Sequence, residues 1–290
     1  MHLVADRNGK IIEENSIQDR LLAWLYGHAV GRIVLKPLIL KPFSQLGGKI
    51  MDSRASALFV PILIRCQSID MSEYEQKKYS SYNDFFTRKL AAGSRQIDLS
   101  KNAWISPCDS RLSVYKIDDA CEFSIKHTRY TVKSLLRDGR LASRYAGGYV
   151  WIFRLCVDDY HRYIYVDHGK ASINRRIEGV FHTVNPIANE ICPIYKENTR
   201  EYCLLKSANF GTVLQMEVGA LLVGRIENRP GGTYVCRGEE KGHFAFGGST
   251  VILLTQKGQV LPNGDLLRYS RSGIETKVSL GERIGVKRRR

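Results

Sequence analysis

Gly247-Gly248-Ser249-Thr250, followed directly by Val251-Ile252-Leu253-Leu254, constrains this chain more than any other stretch of it. A short unbroken run of aliphatic residues bounded by glycine reads as a buried strand. The two glycines carry no Cβ, so the backbone before the serine stays open to close approach. A hydroxyl therefore stands at the mouth of a buried strand, next to the unshielded carbonyl of Gly248. A glycine turn feeding a strand accounts for the bare pattern. A serine that attacks its own chain is the reading that uses the hydroxyl.

The surroundings of that motif carry more than the motif. The string Arg237 to Thr250 resembles the self-processing site of the phosphatidylserine decarboxylase family. Ser80 to Leu90 (Ser-Ser-Tyr-Asn-Asp-Phe-Phe-Thr-Arg-Lys-Leu), with Arg95-Gln96-Ile97-Asp98 after it, resembles a segment that opens the family's catalytic part. Ser106-Pro107-Cys108-Asp109-Ser110-Arg111 is similar to its Ser-Pro-x-Asp-Gly signature, with Ser110 in the glycine's place. Asp159-Tyr160-His161-Arg162 resembles its histidine motif, Phe181-His182-Thr183-Val184-Asn185-Pro186 its Val-Asn-Pro turn, and Val218 to Ile226 its Val-Gly-Ala strand. These matches fall in order along roughly residues 80 to 255.

The resemblance implies a proenzyme that cuts itself between Gly248 and Ser249, giving a long chain of residues 1–248 and a short one of residues 249–290. It implies that Ser249 becomes a pyruvoyl group, with no external cofactor and no metal. The keto group would form a Schiff base with phosphatidylserine and take up electrons as carbon dioxide leaves, giving phosphatidylethanolamine. A serine hydroxyl needs a base, and the base an orienting group. Ser249, His161 and Asp109 are the candidates for those roles, an arrangement like a hydrolase triad turned on its own backbone. One departure bears on this assignment. The family usually carries a second histidine three residues after the first, and Ile164 stands there. Either His161 serves both steps, or His168 or His182 substitutes, or processing is slow or lost. Turn and core readings compete for Asp109 and for the histidines.

Composition agrees with a folded enzyme, since 290 residues at 43% hydrophobic can bury a large core. Lys and Arg number 44 against 29 Asp and Glu, a formal charge of +15 that favours a polyanionic surface. No zinc-finger spacing or aromatic RNA-binding signature is present, so an anionic membrane is expected rather than nucleic acid. The seven cysteines form no Cys-x-x-Cys pair, which suits reduced thiols rather than a disulfide framework or a zinc site. Cys108, beside Asp109, reads as a small buried hydrophobe. Met1 to Glu14 lacks the apolar core of a signal peptide, and no apolar run reaches the length of a membrane span.

The expected fold is α+β: a mainly β catalytic core over residues 80–290, with a helical, membrane-facing N-terminal part over 1–79. Leu21, Leu22, Leu25, Val30, Ile33 and Val34 recur at helical spacing among Arg20, Arg32, Lys36 and Lys41, a pattern for an interfacial helix or one packed on the core, ended by Pro37 and Pro42. Tyr149–Leu155, Val213–Val218 and Ser249–Leu254 read as strands, and Val132–Leu141 as a helix capped by Thr131. Lys287 to Arg290 forms a basic end. By resemblance, the expected partners are phosphatidylserine, the anionic bilayer at its cytoplasmic face, the cleaved short chain and a second copy in a homodimer. A decarboxylase of another serine-headgroup substrate and an uncut anionic-lipid binder are the alternatives.

Overall fold

The computed structural model describes residues 2–14, 24–125, 128–184, 194–220, 225–245 and 249–288. Gly247, Gly248, Leu21, Leu22, Arg20, Asn185, Pro186, Cys192 and the 221–224 part of the Val-Gly-Ala strand lie outside them. In chain order the strands are β1 (His2–Ala5), β2 (Ile11–Glu14), β3 (Ala103–Ile105), β4 (Ser110–Lys116), β5 (Glu122–Ile125), β6 (Thr128–Thr131), β7 (Tyr149–Leu155), β8 (Arg162–Ile164), β9 (Gly169–Ala171), β10 (Arg175–Ile177), β11 (Arg200–Ser207), β12 (Gly211–Val218), β13 (Arg225–Asn228), β14 (Tyr234–Val235), β15 (Glu240–Ala245), β16 (Ser249–Thr255), β17 (Val260–Pro262), β18 (Glu275–Val278) and β19 (Arg283–Lys287).

The aliphatic run after Ser249 lies near the middle of an eleven-stranded sheet ordered β14-β9-β11-β12-β16-β7-β4-β18-β1-β2, with β10 on β11. Every residue of β16 is buried, as a strand covered on both faces must be. Its register pairs Ser249 with Leu155 and Val251 with Phe153 on β7, and Val251 with Glu217 on β12. Alternation then puts Ser249, Val251, Leu253, Glu217 and Gln215 on one face. A three-stranded sheet, β13-β15-β8, packs on that face. Lys241 of β15 bonds Glu217, and Gln215 donates to the Ile164 carbonyl of β8. On the opposite face, buried Arg200 donates to the carbonyls of Leu135 and Ser134.

Three elements differ from the sequence reading. The N-terminal part opens with strands, not helices: β1 and β2 form a hairpin around Asp6, whose carboxylate accepts the Asn8 and Lys10 amides. β1 then pairs in parallel with β18 and so joins the main sheet. The Val132–Leu141 helix is two short helices, Val132–Leu136 and Gly139–Ala142, because Arg137 takes a left-handed φ of 52° and Asp138 caps anew. Thr131 does cap the first, accepting the Ser134 amide at 2.9 Å. Pro37 lies inside the Ala29–Leu38 helix, and Pro42 starts the Lys41–Asp52 helix instead of ending a pattern. Gly31 lets the first of these cross close to Trp24, whose carbonyl oxygen lies 2.5 Å from where a Cβ would stand.

Candidate active site

The site is built on two short segments zipped together. Ser81 caps the Tyr82–Phe86 helix by accepting the Asp84 amide, and Phe85 and Phe86 are wholly buried. The chain continues through Thr87 into Arg88, a guanidinium only 1% exposed. Facing it is the Cys156–His161 turn, tightened where the Asp159 carboxylate accepts the Cys156 amide at 2.7 Å. Arg162 donates to the Thr87 carbonyl at 2.7 Å and to Glu240 of β15 at 2.9 Å, fastening the two segments to the small sheet.

His161 is completely buried, its ring centroid 3.9 Å from that of Phe86. Its Nδ1 lies 2.9 Å from the Asp159 carbonyl, which can only accept, so Nδ1 carries the proton and Nε2 the lone pair. Nε2 has no partner among the described residues. Burial, helped by the charge of Arg88, holds the imidazole down at about 3 and keeps it neutral. Its carbonyl accepts the Phe244 amide, which sets it beside the strand that runs into the Phe246–Gly248 segment.

Ser249 begins β16, fully buried, on the face that the small sheet covers. Its Oγ likewise has no partner among the described residues. Unsatisfied buried polar atoms are costly, and these two are in the company of the Ser110, Thr250 and Thr276 hydroxyls, which are also buried without a partner among the described residues. These two atoms suit the conversion that the family resemblance implies, a proton donor and a proton acceptor shielded from water.

Asp109 sits elsewhere in the hydrogen-bond pattern. Arg95 grips its carboxylate from Nε and Nη2 (3.1 and 2.7 Å), and the Leu280 amide donates at 2.7 Å. Among the described contacts none joins Asp109 to His161, whose orienting partner is a backbone carbonyl. The other histidines are engaged differently. The Arg237 amide donates to His168 Nδ1, and His182 meets Tyr26 at Nδ1 and Glu197 at Nε2. Ile164 is buried, with its amide on the Pro107 carbonyl, so an aliphatic side chain fills the second-histidine position.

The grouped metal-type donors among the described residues are Cys156, Asp158 and Asp159. Guanidinium groups hold them: Arg111 pairs with Asp159 at 2.5 Å and Asp158 at 3.3 Å, and Arg154 donates to Cys156 Sγ. Two cations in the cluster supply the charge that a metal would bring. Burial pushes the Asp159 carboxyl up to about 6, against the pull of Arg111. The described cysteines are free, and burial raises the Cys108 thiol well above its usual range, so it behaves as core.

Sequence reasoning passed over Arg88, Phe86, Arg95 and the Lys241–Glu217 pair. The first three stand inside stretches singled out for resemblance, yet a motif does not say which of its residues touch His161. Lys241 and Glu217 are both wholly buried and 2.6 Å apart, with Asn228 bonded to each. Glu217, a charged residue in the predicted strand Val213–Val218, was the available signal.

The N-terminal helices present a second candidate surface. Val30 and Ile33 are 63% and 65% exposed, Leu58 77% and Ile62 59%, with Leu46, Ile50 and Phe59 also more than half exposed. Exposed Arg32, Lys36, Lys49, Arg54 and Arg65 accompany them. Among the described residues no helix is long and apolar enough to cross a membrane.

Comparison with known proteins identifies the family. The family profile described as phosphatidylserine decarboxylase matches residues 82–286. The chain is 44% identical over 277 residues to phosphatidylserine decarboxylase proenzyme 2 of Clostridium acetobutylicum, covering 95% of each. It is 41% identical to the phosphatidylserine decarboxylase proenzyme of Clostridium tetani, over 93% of this chain and 92% of that one. With that of Clostridium novyi the identity is 40% over 98% of this chain and 99% of the relative.

Proposed function

The chain belongs to the phosphatidylserine decarboxylase family, and from that premise we propose that it cleaves itself at Gly248-Ser249 and then decarboxylates phosphatidylserine to phosphatidylethanolamine. The observation that carries the reading is the pair of buried, unpartnered reactive atoms, Ser249 Oγ and the lone-pair nitrogen of a neutral His161.

His161 Nε2 takes the Ser249 hydroxyl proton, and Oγ adds to the Gly248 carbonyl carbon. The peptide C–N bond breaks, the amine of residue 249 takes a proton, and Gly248 is left esterified to Ser249. Loss of the Cα proton with expulsion of the Gly248 carboxylate leaves dehydroalanine, and water then replaces its nitrogen, which departs as ammonia. The resulting pyruvoyl group supplies a carbonyl electron sink for decarboxylation, as pyridoxal phosphate does elsewhere. The same His161, kept neutral in a dry site, holds its Nε2 ready to accept or return a proton at the substrate carbon. Asp109 acts through Arg95 and the Leu280 amide, holding the Pro107–Ser110 turn against β8.

In this reading the helices of residues 1–79 are the docking part and 80–290 the catalytic core, with β1 and β2 added to the core's main sheet. The exposed apolar and basic residues of the helices lie on the cytoplasmic face of an anionic bilayer, where phosphatidylserine is drawn. A homodimer of the cleaved pair belongs to the same proposal.

Intact mass under denaturing conditions tests it. The parent chain gives two fragments, the second blocked at residue 249, and Ser249→Ala gives one uncut chain. A single uncut mass for both would sink the decarboxylase reading and favour a lipid-binding relative.

A further inference from the structure

We propose that Arg88 is the positioning residue of His161: its buried guanidinium holds the Asp158 and Asp159 carbonyls, and the second of these fixes the imidazole. The inference rests on the reading of His161 as the processing base.

Arg88 Nη2 donates to the Asp158 carbonyl at 3.0 Å, to the Asp159 carbonyl at 3.4 Å and to the Tyr74 hydroxyl at 3.2 Å. The Asp159 oxygen is also the acceptor of His161 Nδ1–H at 2.9 Å. One carbonyl thus joins the guanidinium to the ring, and its direction decides which imidazole nitrogen keeps the proton. Phe86, two residues before Arg88, packs on the same ring. Arg162, the residue after His161, returns the link by donating to the Thr87 and Arg88 carbonyls.

Ordinary stability does not explain this guanidinium. It is buried without an ion pair among the described residues, its Nε is unpartnered there, and its charge is met by carbonyls and by the faces of Tyr74 and Phe85, at 4.3 and 4.7 Å. A buried charge without a carboxylate is expensive. Placed beside His161 it does two things: it fixes the Nδ1–H tautomer, and it opposes a second positive charge on the ring. The charged groups that His161 feels are Arg88 and Asp158, with opposite effects. Its other neighbours, Phe86 and the Phe244 amide, are uncharged. Removing Arg88 therefore moves the imidazole towards protonation, whereas lysine keeps the charge but carries it on a flexible stem, without the rigid guanidinium plane that aims Nη2 at these carbonyls.

Two measurements decide it. Cleavage is timed during cell-free synthesis at neutral pH for the parent, Arg88→Lys, Arg88→Gln and His161→Gln. Histidine ring nitrogens are followed by NMR from neutral pH down through the titration of His161 in the uncut Ser249→Ala chain, with and without each Arg88 change. Both Arg88 variants should cut about 10- to 100-fold more slowly, the usual cost of losing an outer partner that orients a functional histidine. Arg88→Gln should also show mixed tautomers and a His161 titration displaced upwards, and Arg88→Lys mixed tautomers without that displacement. Parental cleavage, or slow cleavage with the parental tautomer and titration, would overturn the proposal. Should Arg88→Gln not fold, the tautomer and cleavage rate of Arg88→Lys decide alone. If His161→Gln cuts at the parental rate, the base assignment beneath the proposal falls. If His161→Gln stays uncut while both Arg88 variants cut normally, only the Arg88 inference falls.

Discussion

The layer between the two sheets buries polar groups, whereas the N-terminal helices expose apolar ones. In the first, His161, Ser249, Glu217 and Lys241 are wholly inaccessible. In the second, Val30, Ile33, Leu58 and Ile62 are each more than half exposed. Both run against the rule that sorts residues by polarity, and each departure costs stability that folding alone does not repay. In the proposed function the interlayer keeps reactive atoms dry, and the helices keep apolar surface available to a lipid phase. A molecule that acts on an amphiphile needs both, a dry place for the reaction and a greasy place to meet its substrate, and here they occupy different parts of the chain.

The comparison breaks most visibly at the buried ion pair. Glu217→Gln leaves the Lys241 ammonium buried without a counter-charge, and we expect a loss of about 3–5 kcal/mol, measured by denaturant unfolding in the uncut Ser249→Ala background. Glu217→Leu combined with Lys241→Met removes both charges, and should recover most of that loss. If the single variant were as stable as the double one, the interlayer would be wetter than its burial indicates. The pair joins β12, which flanks the strand of Ser249, to β15, which leads towards the cleavage site.

The helical surface should behave in the opposite way. Leu58→Ser, Phe59→Ser and Ile62→Ser together remove apolar area that the protein does not bury. Thermal stability should stay within about 0.5 kcal/mol for each surface change. Binding to phosphatidylserine vesicles should weaken more than about tenfold, because inserting even one such side chain contributes about 1.5–3 kcal/mol. Co-sedimentation with vesicles reads this directly. Unchanged binding with lowered stability would show that these residues cover the core.

The parts of this arrangement that the sequence disclosed are those written in periodicity. Tyr149–Leu155 is a strand over those bounds, and the run after Ser249 is buried along its whole length. The N-terminal hairpin escaped notice because a four-residue strand carries few alternations, and because β1 is paired by β18 near the other end of the chain. Propensity cannot report a partner so distant in sequence. Ser249 was singled out from its glycines and His161 from its motif, and both are buried. That Asp109 would turn to Arg95, and His161 to a backbone carbonyl, was not, because hydrogen-bond partners follow from tertiary approach. Ile164 illustrates the point from the other side: a residue type that looked like a defect in a motif has a place in the core, with β8 held to Pro107 and Gln215 through its backbone.

The smallest effect lies where the two regions meet. Tyr26, wholly buried at the start of the described helical part, places its hydroxyl 3.2 Å from His182 Nδ1 and accepts the Thr183 amide. Burial lowers the His182 pKa, with Glu197 opposing. A histidine held below its ordinary value of 6.5 takes up its proton less readily when folded than when unfolded, so its contribution is present above that value and is lost as pH falls below it. Acidification should therefore loosen the helical part from the core first, because His182 is freed by a local opening at Tyr26, whereas His161, subject to the same linkage, is freed only when the interlayer opens as a whole. Hydrogen exchange at decreasing pH should show the amides of the Ala29–Leu38 helix losing protection first, with those of β16 following at lower pH. A His182→Gln variant should remove that early step. Simultaneous loss in both regions would mean that the dry layer and the greasy surface open as one unit.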